Sequence, residues 1–182
     1  MKHKTIYFAT GNKDKLREAK LILNKVDVIG KKLNLLELQG EPEEVAEQKA
    51  RMAFEIIKKP VIAEDTALCF TALKGLPGVY IRHFLDRIGQ EGLVKMLEPY
   101  KDKSAEAVCC IGYCDGKITK VFKGVVKGKI VEPRAKANFL FGWDPIFEPN
   151  GYNKTFSELG GEKHKISHRK KALEELKKFL NK

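Results

Sequence analysis

The sequence predicts an α/β fold with a mixed central sheet, because strand and helix signals alternate early and a hairpin signal follows them. Residues 5–9, of which the last four are apolar, have the length of a buried strand, and helical spacing of apolar residues covers 14–25 and 43–59. Residues 105–122 show the pattern and the turn signal of a β-hairpin. Alternating helices and strands favour parallel strands, and the hairpin adds antiparallel ones.

The first half of the chain supplies the elements that lead to the candidate site residues. The helix predicted over 14–25 turns three apolar side chains inward, those of Leu16, Ala19 and Leu23. The helix predicted over 43–59 ends at Pro60, which cannot continue it. Residues 61–63 then form a short buried strand that feeds the carboxylates after it.

The second half is predicted to contain one more helix and further strands. Residues 83–97 favour a helix, although glycines at 89 and 92 weaken that pattern. In the hairpin, Asp115-Gly116 supplies the positive φ angles of a tight two-residue turn. A separate strand is predicted over 128–132.

The composition is that of one globular domain spanning residues 1–182. The chain is 43% hydrophobic and 32% charged, with no repeat or low-complexity linker, and a domain of this length buries about 70% of its unfolded surface. Its four cysteines form no Cys-x-x-Cys pair and lack zinc-ligand spacing, so we expect reduced, mostly buried thiols. If the domain has two lobes, the cleft between them is the natural site.

The net charge points to an anionic partner. A formal charge of +11 suits a nucleic acid, an acidic membrane or a polyphosphate substrate. The last twenty residues hold eight Lys/Arg against two Glu, and most of these lysines fit the solvated face of a terminal helix. The opening has only four consecutive apolar residues, too few for a signal peptide or a membrane span. We therefore expect a soluble, cytoplasmic protein with no membrane partner.

A strand-to-helix turn near the start is the first candidate site. It consists of Thr10, Gly11, Asn12, Lys13, Asp14 and Lys15. Free backbone N–H groups and the positive end of a helix dipole favour phosphate oxygens at such a junction, and Lys15 adds a positive charge. The alternative is an ordinary turn in which Asn12 caps the helix and the lysines face solvent.

Lys49 is the second candidate, on helical geometry. With Val45 placed at 0° around the helix axis and steps of about 100° per residue, Met52 lies at about −20°, Ile56 at about 20° and Lys49 at about 40°. Lys49 therefore lies within the apolar face of its helix. It either extends to the edge of that face or meets a buried anion, such as a phosphate in a cleft.

Acidic residues form the third candidate. Glu41 precedes the helix predicted over 43–59, and Glu64-Asp65-Thr66 follows the strand predicted over 61–63. Carboxylates just beyond a buried strand often contact ligands in α/β proteins, and one or two of them suffice for Mg²⁺ alongside substrate phosphates. Glu41 and Asp65 form such a pair if their loops converge. The alternative is that acids near the helix start act as caps.

The fourth candidate lies near the C-terminus, in Phe141-Gly142-Trp143-Asp144 and Ser167-His168-Arg169. The first segment offers a stacking face for a base and a hydrogen-bonding carboxylate. If Ser167 caps the last helix, His168 and Arg169 lie in its first turn, where positive charge needs an anion or a carbonyl opposite. The alternative is that the aromatic residues are core and that Arg169 pairs with a surface acid.

Taken together, the motifs closely resemble the inosine/xanthosine triphosphate pyrophosphatase family, and they span nearly the whole chain. They are Thr-Gly-Asn-x-x-Lys at 10–15, Gln-Gly-Glu-Pro at 39–42, Glu-Asp-Thr at 64–66, Gly-Leu-Pro-Gly at 75–78, Phe-Gly-Trp-Asp-Pro at 141–145 and Ser-His-Arg at 167–169. Each motif alone is weak, but six in the family order make chance agreement improbable. The resemblance implies an elongated α/β fold with a deep cleft between two lobes, a homodimer, and Mg²⁺ as the cofactor.

The resemblance also implies an activity and a role for each matching residue. The activity is hydrolysis of ITP, dITP and XTP to the monophosphate and pyrophosphate, which cleanses the nucleotide pool. Residues 10–15 and Lys49 bind the triphosphate, Lys15 also assists catalysis, and Glu41 and Asp65 hold Mg²⁺, with Asp65 as the base for the attacking water. The remaining substrate contacts are Thr66, Arg82, Phe141, Gly142, Trp143, Asp144, Lys163, His168 and Arg169.

The sequence departs from the family pattern before the aromatic motif. Ala135 stands where the family usually has glycine, Leu140 where many relatives have a second one, and Arg82 where relatives place a lysine or another residue. We expect the finer substrate preference to depend on residues 133–140, the loop that precedes the aromatic motif. Two other functions stay open from the residues alone: a basic nucleic-acid-binding module and a nucleotide sensor that releases no product. Carboxylates in the site disfavour the first, because they repel phosphates, and we expect no stable nucleic-acid partner.

Overall fold

Seven strands of the described residues form one mixed sheet. The computed structural model describes residues 4–36, 38–134 and 142–181, so the predictions for Phe141, Ala135 and Leu140 lie outside the described residues. The strands are β1 (Lys4–Ala9), β2 (Val26–Lys31), β3 (Val61–Phe70), β4 (Pro77–Gly78), β5 (Ser104–Cys114), β6 (Thr119–Ile130) and β7 (Phe147–Pro149). Their order is β2-β1-β3-β5-β6-β7, with β4 paired to β3. Strand β1 runs parallel to β2 and β3, whereas β6 and β7 are antiparallel, which confirms the mixed sheet.

Six α-helices accompany these strands in the described part of the chain. They are α1 (Lys13–Ile22), α2 (Pro42–Ile57), α3 (Ile81–Lys95), α4 (Phe156–Leu159), α5 (Lys163–Ile166) and α6 (His168–Leu180). The predicted helices correspond to α1, α2, α3 and, after Ser167, α6. Helix α2 ends before the predicted residue 59, because Lys58 adopts a left-handed φ of 55° and Pro60 follows. No helix of the described residues is long and apolar enough to cross a membrane.

The contacts divide the chain into two compact units. The first unit contains the chain up to Thr66, Cys109–Gly124, and the chain from Arg169 onward; the second contains Ala67–Val108 and Val125–His168. In the first unit, one core cluster joins Phe8, Leu23 and Leu173, and each such buried side chain contributes about 1.5–3 kcal/mol. In the second unit, the core is built around aromatic rings that include Trp143, Phe147 and Phe156. The prediction of a single domain with two lobes stays a prediction.

Strand β3 is longer than predicted. The sequence predicts a strand over 61–63 only, with Glu64-Asp65-Thr66 beyond its end, but β3 continues to Phe70 and contains all three residues. Charged side chains are uncommon inside a buried strand unless they are paired, and here both carboxylates meet a lysine. The placement of the carboxylates after the strand end is therefore wrong, and they lie within the strand.

The hairpin also differs from its prediction. Strands β5 and β6 are joined by four residues, 115–118, rather than by a two-residue turn, and only Gly116 has a positive φ, of 87°. The Asp115 carboxylate accepts hydrogen bonds from the backbone N–H groups of Lys117 and Ile118, both at 3.0 Å, which stabilises the longer loop. The separate strand predicted over 128–132 is the last part of β6, which is continuous to Ile130.

Two further features bear on the predictions. Helix α3 is kinked at Gly89, whose φ of 66° and ψ of −174° are not helical, as the glycine pattern indicated. The four cysteines, all within the described residues, form no disulfide; Cys109, Cys110 and Cys114 are buried and Cys69 is partly buried, as expected. Strand β2 was not predicted, although three of its six residues, Val26, Val28 and Ile29, are of the β-branched type that is enriched in strands.

Candidate active site

Two neighbouring carboxylates of β3, Glu64 and Asp65, are nearly excluded from solvent, with 8% and 9% of their surface exposed. Successive side chains of a strand point to opposite faces. The core contacts agree with this: Ile62 packs in the cluster that contains Ala19 of α1, whereas Ala63 packs in the cluster that contains Ala50 of α2. Each carboxylate therefore meets a lysine from a different helix.

Glu64 is the centre of a buried ion network, which we define as Glu64, Lys15, Arg169 and Glu18. Lys15 Nζ lies 2.9 Å from Glu64 Oε1, and the Arg169 guanidinium binds both carboxylate oxygens, with Nε at 2.9 Å from Oε2 and Nη2 at 3.0 Å from Oε1. Arg169 Nη1 also donates to Glu18 Oε2 at 3.1 Å. The Thr66 hydroxyl adds a hydrogen bond to Glu64 Oε1 at 3.2 Å. These contacts tie β3 to α1 and α6.

Within this network, the Glu64 carboxylate and the Arg169 guanidinium each favour the charged form of the other. Burial raises the pKa of Glu64, but the charges of Arg169 and Lys15 outweigh burial and hold that pKa well below its usual range. For Arg169, burial lowers the pKa, yet Glu64 more than offsets this and the pKa is raised. Burial raises the pKa of the nearby Cys109 thiol, and the charge of Glu64 raises it further.

Lys49 contacts a buried anion, which is one of the two alternatives that its position on the apolar face of the helix left open. Its Nζ lies 3.0 Å from Asp65 Oδ1, and only 14% of its side chain is exposed. The buried face of α2 consists of small and branched residues that flank Lys49, namely Val45, Ala46, Ala50 and Ala53. Ile56, placed in that face by the sequence, is instead 60% exposed. The inward position of Lys49 is confirmed, and that of Ile56 is wrong.

The turn before α1 is capped by its own side chains. Asn12 Oδ1 accepts the backbone N–H groups of Asp14 at 2.9 Å and Lys15 at 3.1 Å, and Thr10 Oγ1 accepts that of Asn12 at 3.1 Å. Lys13 and Asp14 face solvent, and Gly11 is exposed. Asn12 is therefore the cap that the second sequence alternative described. An incoming phosphate would rely on the helix dipole and Lys15, together with amides not engaged by Asn12.

Glu41 occupies the residue before α2. Its backbone N–H donates to Glu44 Oε2 at 3.1 Å, and its side chain is exposed. Glu41 and Asp65 belong to the same compact unit. Among the described residues, no three His, Cys, Asp or Glu side chains form a group that holds a metal ion. Mg²⁺ usually needs only one or two carboxylates together with phosphate oxygens and water, so the oxygen chemistry of these two residues fits it.

The second unit contains the aromatic candidate residues. The Trp143 ring packs 5.7 Å from that of Phe147 and 5.4 Å from that of His168, and Trp143 is 9% exposed. Lys163 Nζ lies 2.5 Å from Asp144 Oδ2, and both side chains are nearly buried. The packing of Trp143 agrees with the core alternative, while the Asp144–Lys163 pair adds a buried polar group beside it.

Two predicted residues behave differently from the others. Arg82 projects into solvent, with 84% of its side chain exposed, and its Nε lies 3.8 Å from Asp86 Oδ2. Arg169 is not paired with a surface acid, as its alternative proposed, but with the buried carboxylates of Glu64 and Glu18. The predicted residues fall into two sets: Thr10 to Lys15, Glu41, Lys49, Asp65, Thr66 and Arg169 in the first unit, and Arg82, Gly142, Trp143, Asp144, Lys163 and His168 in the second.

No sequence pattern assigns a site role to Glu18 or to Glu64. Glu18 is 7% exposed and lies on α1 three residues after Lys15, a spacing that places both on one side of the helix. Helical spacing gives no signal for Glu18, because steps of about 100° place it about 160° from Leu16, away from the predicted inward face of the helix. For Glu64 the partners are distant in sequence, and no local pattern indicates them.

These features define an α/β protein whose candidate site combines helix-borne lysines with buried carboxylates. A sequence profile of the Ham1 family matches residues 6–179. An inosine triphosphate pyrophosphatase of Yarrowia lipolytica is 52% identical over 181 residues, which cover 97% of this chain and 95% of that protein. The chain therefore belongs to the Ham1 family.

Solved structures agree with this assignment. The Ham1 protein of Staphylococcus aureus has a TM-score of 0.87 and 34% identity, covering 98% of both chains. The structure titled nucleoside-triphosphatase / dITP/XTP pyrophosphatase, from Mycobacterium abscessus, has a TM-score of 0.77 and 28% identity, covering 94% of this chain and 98% of that one. The α/β fold with a mixed sheet is thus shared across the whole length.

The ion network predicts a pH-dependent loss of stability in Glu64→Gln. Removing one partner of a buried ion pair costs about 3–5 kcal/mol, so urea unfolding at pH 7 should show a loss of that order. Because the pKa of Glu64 is lowered by folding, its contribution is complete above the unfolded pKa of about 4.3 and is lost as the pH falls through the lower folded pKa. The difference in unfolding free energy between wild type and Glu64→Gln should therefore keep its full size down to about pH 5 and decrease below about pH 4.

The matched control is Glu55→Gln, which removes an exposed pair with Lys58 on α2. It should change stability by no more than about 0.5 kcal/mol. The loss of unfolding free energy in Glu64→Gln could instead be as small as in the control, or stay constant from about pH 7 to about pH 3. Either result would show that the network does not hold an ionised Glu64.

Proposed function

We propose that this protein hydrolyses deaminated purine nucleoside triphosphates, namely ITP, dITP and XTP, to the monophosphate and pyrophosphate. The observation that carries the proposal is the pair of lysine–carboxylate contacts on adjacent residues of β3, Lys15–Glu64 and Lys49–Asp65. Membership of the Ham1 family supports it, as do the names of the relatives, an inosine triphosphate pyrophosphatase and a dITP/XTP pyrophosphatase. Such an enzyme would cleanse the nucleotide pool.

In the proposed mechanism, the first unit binds the triphosphate. Residues 10–15 would contact phosphate oxygens through the start of α1 and the Lys15 ammonium, and Lys49 would contribute a second ammonium. Both lysines are already held by short contacts with carboxylates, so each has a fixed position before substrate arrives. Positive charge at fixed positions favours the transition state, in which negative charge grows on the leaving pyrophosphate.

Asp65 is the proposed base. It accepts a proton from a water molecule whose oxygen attacks the α-phosphorus; the bond from that phosphorus to the bridging oxygen breaks, and pyrophosphate leaves. Lys49, 3.0 Å from Asp65 Oδ1, orients the carboxylate. Glu41 and Asp65 would hold Mg²⁺, which when bound polarises phosphate oxygens and offsets their charge. The buried Glu64 keeps Lys15 and Arg169 in place through the ion network.

The second unit supplies most of the proposed purine contacts. Phe141, Gly142, Trp143 and Asp144 would hold the purine, and Lys163 and His168 would add base and phosphate contacts. Thr66 and Arg82 are further proposed substrate contacts. A hydrogen-bond donor such as Arg169 would donate to the 6-oxo group of inosine or xanthosine, whereas adenine presents an amino donor at that position. A polar mismatch of this kind discriminates by roughly 10⁴.

We also propose a cytoplasmic homodimer, on the resemblance of the motifs to the pyrophosphatase family. Sedimentation of the purified protein tests the dimer directly, because a monomer of 20.6 kDa and its dimer differ twofold in mass.

The reaction is tested by incubating the protein with ITP, XTP, GTP or ATP and Mg²⁺ in ¹⁸O-labelled water. We expect pyrophosphate from ITP and XTP, far less turnover of ATP, and the label in the monophosphate, because water attacks the α-phosphorus. Orthophosphate as the first product would contradict the proposal, and label in the pyrophosphate would move the attack to the β-phosphorus. DNA binding with steep salt dependence and no product would favour the nucleic-acid-binding alternative.

Replacing the proposed base tests its role. Asp65→Asn keeps the shape but cannot accept the proton, so kcat for ITP should fall about 10²–10⁴-fold at saturating Mg²⁺. The exposed Asp102→Asn, in the second unit, is the matched control and should keep kcat within about twofold. Near-normal turnover of Asp65→Asn would show that another group takes the proton.

A further inference from the structure

Gln90 holds the backbone immediately before the proposed purine residues. Its side-chain amide Nε2 donates to the carbonyl oxygen of Gly142 at 2.7 Å, and Trp143 and Asp144 follow Gly142 directly. Both ends of this hydrogen bond lie in the second unit. Gln90 is 52 residues away in sequence and belongs to α3, so no motif associates it with the Trp143-Asp144 pair.

The kink at Gly89 sets the direction of Gln90. Gly89 has a φ of 66° inside α3, in the left-handed region that favours glycine. A Cβ built on Gly89 would meet nothing within 4 Å, so the glycine serves the backbone conformation and not a close contact. The chain leaves the helical path at Gly89, and Gln90 is the first residue after that change of direction.

The hydrogen bond acts on the Gly142 carbonyl, a different part of the segment from the Trp143 ring, the Asp144 carboxylate and the Trp143 carbonyl, which accepts the Ile146 N–H at 3.1 Å. The Trp143 ring is held by Phe147 and His168, and the Asp144 carboxylate by Lys163. Those contacts act on side chains. Gln90 acts on the carbonyl of Gly142, whose φ is 56°, and because the peptide group is planar this sets the orientation of the Gly142–Trp143 peptide.

We propose that Gln90 is a positioning residue for purine binding, acting through the Gly142–Trp143 peptide. This inference rests on the proposed function, which assigns Trp143 and Asp144 to the purine. The residues proposed for water attack, Asp65 and Lys49, belong to the other unit. Loss of Gln90 therefore weakens purine binding and leaves the chemical step unchanged.

Gln90→Leu tests the proposal, because it keeps most of the side-chain volume and removes the donor. Loss of one neutral hydrogen bond should raise KM for ITP about 3- to 10-fold and keep kcat within about twofold. Gln90→Glu places a carboxylate oxygen against the Gly142 carbonyl and should raise KM further. Gln48→Leu, the same exchange at an exposed position of α2, is the matched control and should match wild type.

Trp143 provides a second readout, because it is the chain's single tryptophan. Inosine 5′-monophosphate, titrated without Mg²⁺, should change its fluorescence, with a Kd raised about 3- to 10-fold in Gln90→Leu and unchanged in Gln48→Leu. Far-UV circular dichroism of each variant verifies its fold.

The outcomes separate the two proposals. Equal KM and equal Kd in Gln90→Leu and wild type would overturn the positioning role and leave the proposed reaction intact, and so would a loss confined to kcat. If inosine 5′-monophosphate does not change the fluorescence of the wild-type protein while ITP is still hydrolysed, the assignment of Trp143 is overturned. The role of Gln90 is then overturned with it. Absence of pyrophosphate release from ITP would overturn the proposed function itself, whereas the fluorescence titration would still decide whether Gln90 positions Trp143.

Discussion

The contact between Glu64 and Arg169 is the interaction on which the first unit depends. A carboxylate and a guanidinium removed from water are stable only while each has its partner, and Lys15 and Glu18 extend the pair into a network. Because its members come from β3, α1 and α6, the network fixes three elements that are far apart in the sequence. It also keeps Lys15, a proposed phosphate ligand, in one position. Stability and the geometry of the site therefore depend on the same charges.

The alternation of side chains along β3 explains how two lysines from different helices contact carboxylates of adjacent residues. Glu64 faces the helix that carries Lys15, and Asp65 faces the helix that carries Lys49. The two carboxylates thus take different parts in the proposed reaction. Glu64, bound by three cationic or hydroxyl groups, is a positioning residue, and Asp65, bound by Lys49, is the proposed base. In the second unit, Gln90 has a comparable positioning role, acting on the backbone beside Trp143.

Periodicity predicted the parts of this arrangement that depend on one element. Helical spacing placed Lys49 on the buried face of α2, and the apolar patterns predicted β1 and the four longer helices but not the short α4 and α5. The extent of β3 could not be predicted, because Glu64 and Asp65 resemble the end of a strand until their partners are known. Those partners lie up to 105 residues away for Arg169, and Gln90 lies 52 residues from Gly142. Side-chain pairing between distant segments has no local signal, so the roles of Glu18, Glu64 and Gln90 required the structure.

A double-mutant cycle on Glu64 and Arg169 tests the central claim most directly. Unfolding free energies at pH 7 are compared for wild type, Glu64→Gln, Arg169→Gln and the double variant. If the two side chains form the buried pair that organises the first unit, the two losses will not add, and the coupling energy will be about 2 kcal/mol or more. Losses that add to within about 0.5 kcal/mol would contradict the account, since residues that add in this way do not interact.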